Sequence, residues 1–347
     1  MGSPSEPFRL FHVPSECEGK TLASVLKLLF PEESWGNAKG LISSRHVQVN
    51  GNLCLDHGRK ITTRDVIKVW RESLPKPIEA KDIRIVFADD FLVVIEKPPG
   101  ITSVRHFEER NLSSKRRQVQ PTLDELLPET LDRFLKSRQT QGERSPRSSA
   151  QSRFQDKADR KLPKVFAVHR LDRDTSGLML FARTQQIGEM LGKMFRRHSI
   201  DRRYWAVAYG HVESQTIESN IVRDIGGGRR GSSDNPDDPT AQHAITHVKT
   251  LETLGDFSIV ECRLETGRTH QIRIHLSEVG HRLCGEPLYN KDQEGKVLED
   301  SSGAPRQALH SASLRFKHPI TGEVHEFKSP WPTDLYRWLR KLGKTST

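Results

Sequence analysis

The sequence predicts a mixed α+β protein built as two unequal units. Three observations carry this. The chain has 347 residues, and a single unit commonly takes about 100–200. Short β-rich runs, alternating in HVQVNG and DVIKVW, carry turn residues between them and read as strands. Segments with apolar residues at helical spacing are interleaved with those runs. LPKPIEAKD, 74–82, is rich in Pro and Lys and interrupts the pattern. It divides a first unit, 15–72, from a second, 83–335, with 73–82 as the linker.

In the first unit TLASVLKLLF places Leu22, Val25, Leu26 and Leu29 on one helical face, and Pro31 stops the helix. A basic, helix-like stretch begins at NAKGLI. HVQVNG then alternates like a strand and ends in Asn50-Gly51, a strong turn signal, and DVIKVW supplies a second strand. In the second unit IRIVFADDFLVVIEKPPG holds two strand-like runs around a turn at Asp89-Asp90. Lys97-Pro98-Pro99-Gly100 forces a turn and presents a cation at a strand end. Residues 121–136 are predicted helical. Residues 137–162 carry Ser, Gln and Arg with almost no apolar anchor, so burial cannot offset their chain entropy and a flexible loop is expected. GGGRRGSSDNPDDPT, 226–240, is expected to be a second.

Lys and Arg total 55 against 45 Asp and Glu, for a net charge of +10. Such a balance favours polyanionic partners. Residues 105–164 hold 15 Lys/Arg against 9 Asp/Glu, so much of the excess sits in one stretch. No run approaches the roughly 18 apolar residues of a membrane helix. The start, MGSPSEPFRLF, has neither an apolar h-region nor an Arg-rich amphipathic pattern. No membrane and a cytoplasmic location are therefore expected. Cys17, Cys54, Cys262 and Cys284 form no C-x-x-C pair, and buried reduced thiols are expected rather than zinc or disulfides. P-loop and G-x-S-x-G patterns are absent.

The densest chemistry lies in AVHRLDRDTSGLMLFAR, 167–183. Apolar strand-like ends bracket a loop holding Arg170, Asp172, Arg173, Asp174, Thr175, Ser176 and Gly177. That places carboxylates at the rim of a sheet, where sites are commonly built. A salt-bridged structural turn would show the same composition. His169 is expected to pack beside the loop. His270 and His275 in GRTHQIRIHL, taken as a strand, would face opposite sides, which argues against a metal pair.

H-R-L-D-x-x-T-S-G-L-x-L-F-A resembles the signature of the RluA group of pseudouridine synthases. The resemblance implies that Asp172 is the catalytic carboxylate. RRYWAVAYG, 202–210, is similar to the family strand that carries an active-site Tyr, here Tyr204. GRTHQIRIHL, 267–276, resembles the motif whose Arg pairs with the catalytic Asp, here Arg273. KPPG at 97–100 and ALHSASLRFKHPITGE at 308–323 resemble the family's first motif and closing strands. G-L-I-x-x-x-x-V-x-V-N-G, 40–51, resembles the small alpha-L RNA-binding domain, which implies RNA contacts from Lys39, Arg45 and His46. Lys97 and Arg170 are expected to meet RNA in the second unit. Gly285-Glu286 departs from the family's usual Gly-Asp, a difference expected to leave the chemistry alone.

The resemblance implies a mixed, largely antiparallel sheet with flanking helices and a central cleft. It also implies isomerisation of uridine to pseudouridine in structured RNA, with large-subunit ribosomal RNA the expected substrate and transfer RNA the alternative. The reaction gains and loses no atoms, so no cofactor or metal is expected, and the chain is expected to act as a monomer. The carboxylate can attack the sugar, add to the ring, or remove a sugar proton. Each route requires an ionised Asp in a water-poor pocket. A guanidinium fork from Arg273 would hold that charge and its orientation, and Tyr204 would stack on the base. An inactive RNA-binding or ribosome-assembly protein would lack one of these three residues. A hydrolase with paired carboxylates would need a second acid, and only Asp174 is near.

Overall fold

The structure is a computed structural model that describes residues 8–105, 120–142 and 162–345, apart from 224, 226–229, 234, 236, 237 and 292–294. Two compact units emerge, one running to Ile78 with Arg105–Pro121, the other Glu79–Val104 with Thr122 onward.

In the first unit β1 (Phe8–His12), α1 (Leu22–Leu29), α2 (Trp35–Ser43), β2 (Val47–Val49), β3 (Asn52–Leu53) and β4 (Val66–Trp70) follow in order. The helices start where side chains cap them. The Thr21 hydroxyl accepts from the Ser24 amide at 3.3 Å and the Ser34 hydroxyl from the Asn37 amide at 3.0 Å. Asn50 and Gly51 both take positive φ, 53° and 76°. That is the backbone of a tight turn whose twist suits a hairpin. The sheet order is β1-β4-β2-β3, all antiparallel. Leu22, Val25 and Leu26 of α1, Ile42 of α2, and Val47, Val49 and Ile67 of the sheet bury one shared core.

The second unit carries β5 (Arg84–Ala88), β6 (Leu92–Lys97), α3 (Leu123–Gly142), β7 (Phe166–Ala167), β8 (Ser176–Ala182), α4 (Gln185–Arg196), β9 (Asp201–Tyr209), β10 (Gln215–Val222), β11 (Gly231–Ser232), β12 (Gln242–Leu254), β13 (Phe257–Leu264), α5 (Gln271–Glu278), β14 (Leu309–Lys317), β15 (Val324–Lys328) and α6 (Thr333–Thr345). One sheet runs β11-β10-β12-β13-β9-β14-β8-β6-β5, with β15 on β14 and β7 on β8. It is the mixed, largely antiparallel sheet expected, with β14 against β8 the parallel pair. The turn at Asp89 forms because its carboxylate accepts the Phe91 and Leu92 amides, each at 2.8 Å. Strand β8 is buried at every residue, as its unbroken apolar run demands. Ile187 and Leu191 of α4 cover it. Leu335 and Trp338 of α6 pack on Val207 of β9.

Two expectations change here. GRTHQIRIHL is not a strand: its second half forms α5. The predicted helix at 121–136 continues to Gly142, which takes the first part of the expected 137–162 loop. The remainder of that loop, 143–161, lies outside the described residues, as does part of 226–240. All four cysteines are free and buried.

Candidate active site

The loop between β7 and β8 is fixed from beneath. Ser103 accepts the Leu171 amide at 3.1 Å and donates to the Leu171 carbonyl at 2.6 Å. The Gly100 amide donates to the Arg173 carbonyl at 2.9 Å. Lys97, at the end of β6, donates to the carbonyls of Pro98, Arg173 and Thr175 at 3.0, 2.8 and 2.8 Å. This corrects the expectation that Lys97 meets RNA. It is 1% exposed, and its three N–H groups are used on the backbone that carries Asp172. Burial pushes it down to about 7, against the pull of Asp174 and Asp172. On the far side Gly177 takes φ 110°, and a Cβ there would lie 2.3 Å from the Ser311 carbonyl oxygen. Only glycine lets β14 come this close to the loop.

Asp172 accepts one bond from Arg273, Nη1 to Oδ2 at 3.1 Å. Its other oxygen, Oδ1, lies 3.8 Å from His270 Nε2. The expected fork is present, but on a different carboxylate. Arg273 Nε and Nη2 donate to Glu286 Oε2 and Oε1 at 2.8 and 2.7 Å. Glu286 therefore touches the site chemistry, contrary to expectation. Burial opposes the charge on Arg273, but Glu286 and then Asp172 outweigh it and hold the group above the ordinary arginine range. Helix α5 places these residues. Gln271 accepts from Thr266 and the Arg268 amide and donates to the Ile245 carbonyl. His270 enters the helix in the left-handed region, φ 63°. Its Nδ1 pairs with the Tyr289 hydroxyl at 2.8 Å, and burial lowers its pKa.

A cavity of about 570 Å³ opens above Asp172, which is the sole carboxylate among its described lining residues. Tyr204 of β9 forms part of the wall. Burial raises its hydroxyl pKa, while nearby Arg202 pulls the other way. Arg170 is exposed at the rim. Arg202 was not singled out from the sequence, although it is the basic residue that opens the Tyr204 motif. It is 7% exposed, lies over the Phe195 ring at 5.3 Å and donates to the Thr266 carbonyl at 3.3 Å. Two residues apart on one strand, Arg202 and Tyr204 share a face. Arg196 and Arg268 add further positive charge to the lining. The arrangement offers one anchored carboxylate, one of its oxygens open, in a basic cavity.

Asp172, Tyr204, Arg273 and Arg170 are thus brought together. Asp174 is not: its carbonyl accepts from Arg306 and it does not line the cavity. His169 packs on Phe195 and accepts the Leu180 amide at 2.9 Å, and burial drops it to about 3. His275 is buried against Ser219. In the first unit Lys39 is exposed. The Arg45 guanidinium bonds the carbonyls of Leu74 and Pro75, and His46 Nδ1 that of Trp70.

Residues 91–278 match the family described as RNA pseudouridylate synthase, and residues 17–74 match the S4 domain. A protein of Zymomonas mobilis named ribosomal large subunit pseudouridine synthase D is 33% identical over 93% of this chain and 92% of its own length. One of Neisseria meningitidis with the same name is 31% identical over 95% and 80%. Among solved structures, human RNA pseudouridylate synthase domain containing 4 shares the fold, with TM-score 0.53 and 20% identity over 75% of this chain and 92% of that one. Signature loop, sheet and relatives agree, and the chain belongs to the RNA pseudouridylate synthase family, with an S4 RNA-binding domain at its N-terminus.

Proposed function

We propose that the chain isomerises uridine to pseudouridine in large-subunit ribosomal RNA, with Asp172 as the catalytic residue. It is proposed to act as a monomer in the cytoplasm. The observation that carries the catalytic assignment is the state of Asp172. It is the cavity's sole described carboxylate, and Arg273 grips Oδ2 alone. Among the described residues Oδ1 accepts no hydrogen bond. The names of the full-length relatives support the RNA.

The target uridine leaves its stack at a cost of a few kcal/mol and enters the cavity. The bond from ribose carbon 1 to ring nitrogen 1 breaks, and one from the same carbon to ring carbon 5 replaces it. Carbon 5 loses a proton and nitrogen 1 gains one. Asp172 serves this through Oδ1, by attack on the sugar or the ring, or by taking a sugar proton. Tyr204 offers a face to the base. Arg170, Arg196, Arg202 and Arg268 supply charge for the flanking phosphates.

Asp172→Asn keeps size and removes charge. Proton release from carbon 5 of uridine in ribosomal RNA is expected to vanish while RNA binding persists. Turnover by the purified variant overturns the assignment. Pseudouridine mapping in host RNA with and without the protein separates ribosomal from transfer RNA.

A further inference from the structure

The fork that Arg273 extends to Glu286 changes what the arginine can do for Asp172. A free guanidinium beside a carboxylate tends to bind it with two parallel N–H groups and occupy both oxygens. Here Nε and Nη2 are committed to Glu286, so Asp172 receives Nη1 on Oδ2 and nothing from Arg273 on Oδ1.

Glu286 is itself immobilised. Its side chain is 1% exposed. Besides Arg273, Oε1 accepts the Leu288 amide at 2.9 Å and the Tyr289 amide at 3.2 Å. The preceding Gly285 takes φ 71°, and a Cβ there would lie 2.1 Å from the Arg306 carbonyl oxygen, so backbone contact sets the turn that aims Glu286. The same segment reaches both neighbours of Asp172. The Tyr289 ring lies 5.2 Å from the Arg273 guanidinium, and the Tyr289 hydroxyl holds His270.

We propose that Glu286 is a positioning residue for catalysis. By taking both branches of the Arg273 fork it aims the remaining N–H at Asp172 and leaves Asp172 Oδ1 to the substrate. This rests on the reading of Asp172 as the catalytic residue. The charge pattern has the same effect. One guanidinium shared by two carboxylates holds each less tightly than it would hold one, so Arg273 only partly offsets the carboxylate it steadies.

The test is single-turnover kinetics on ribosomal RNA across pH, with RNA dissociation constants and thermal melts. In Glu286→Gln the rate falls about 10–100-fold, as for other small misplacements of a reacting group, while the RNA dissociation constant stays within about twofold. The acidic limb of the profile moves to lower pH, because removing a negative neighbour favours the ionised carboxylate. The groups facing Asp172 are Arg273 and His270 from α5, Lys97 from β6, Tyr204 from β9 and Tyr289 after the Glu286 turn. Repeating the profile in a His270→Gln background keeps that imidazole from being mistaken for the carboxylate. Glu286→Asp retains the charge but draws the fork back by one methylene. It is expected to give an intermediate rate with the limb in its wild-type place, and it carries the test alone if the Gln variant does not fold. A wild-type rate in either variant overturns the proposal, and so does an acidic limb unmoved in Glu286→Gln. If Asp172→Asn turns over in the same assay, the reading beneath it falls instead.

Discussion

Arg273 stands between two carboxylates, and its loss strips both of their partner. Unpaired buried charge costs several kcal/mol and is relieved by binding a proton. Arg273→Ala should therefore abolish most activity near neutral pH and recover part of it as pH rises. Arg273→Lys keeps a charge without the fork and should fall between. A pH–rate profile of the three proteins checks this. A near wild-type rate for the Ala variant at neutral pH contradicts it. Lys97 makes a separate claim. Its folded pKa, about 7, lies below the ordinary lysine value of 10.5. Between those values the unfolded chain binds more protons than the folded one, so this group's contribution to stability is present above about 10.5 and is lost as pH falls to about 7. The stability of wild type relative to Lys97→Met should rise with pH across that window in thermal melts. At this scale the sequence displayed Asp172, Tyr204 and Arg273 through their motifs. It did not display Glu286 as a partner, because that pairing depends on a Gly285 turn set by backbone contact with the Arg306 segment. Nor did it display that Lys97 faces inward.

The elements were legible where one face meets solvent. Strand β4 and helix α1 carry the period their geometry requires. Helix α5 was misread for a physical reason. Gln271 to Leu276 are all buried, so no polar face marks a helical period. Ile272, Ile274 and Leu276 instead alternate as a strand would. What makes it a helix is Gln271 holding the preceding loop. At this scale the test is Gly177, where β14 meets β8. Gly177→Ala puts a methyl into the Ser311 backbone at a positive φ. It should lower stability by about 2–4 kcal/mol, reduce the melting temperature and impair turnover even in the folded fraction. A melting curve close to wild type would show that β14 yields there.

For the whole molecule, deletion of residues 1–74 should leave the second unit folded and weaken its hold on long structured RNA. The fall of affinity with salt should also become shallower, since fewer phosphates are contacted. Binding titrations at several salt concentrations, beside circular dichroism of the truncated chain, check both parts. The local trace of the division at Ile78 and Glu79 is the Pro- and Lys-rich break at 74–82. The order of strands in the large sheet was not legible, since pairing between distant segments leaves no local trace; the family resemblance implied only its mixed, largely antiparallel character. The parallel pairing of β14 with β8 joins His310 to Ser176 across more than a hundred residues. A ribosome making this protein has therefore released the Asp172 loop long before the strand that braces it exists. Throughout that interval the loop has no wall on one side, and contacts so far apart in sequence form slowly. The nascent chain can meet RNA through its first unit early in synthesis. It acquires a competent catalytic pocket only when its final strands arrive.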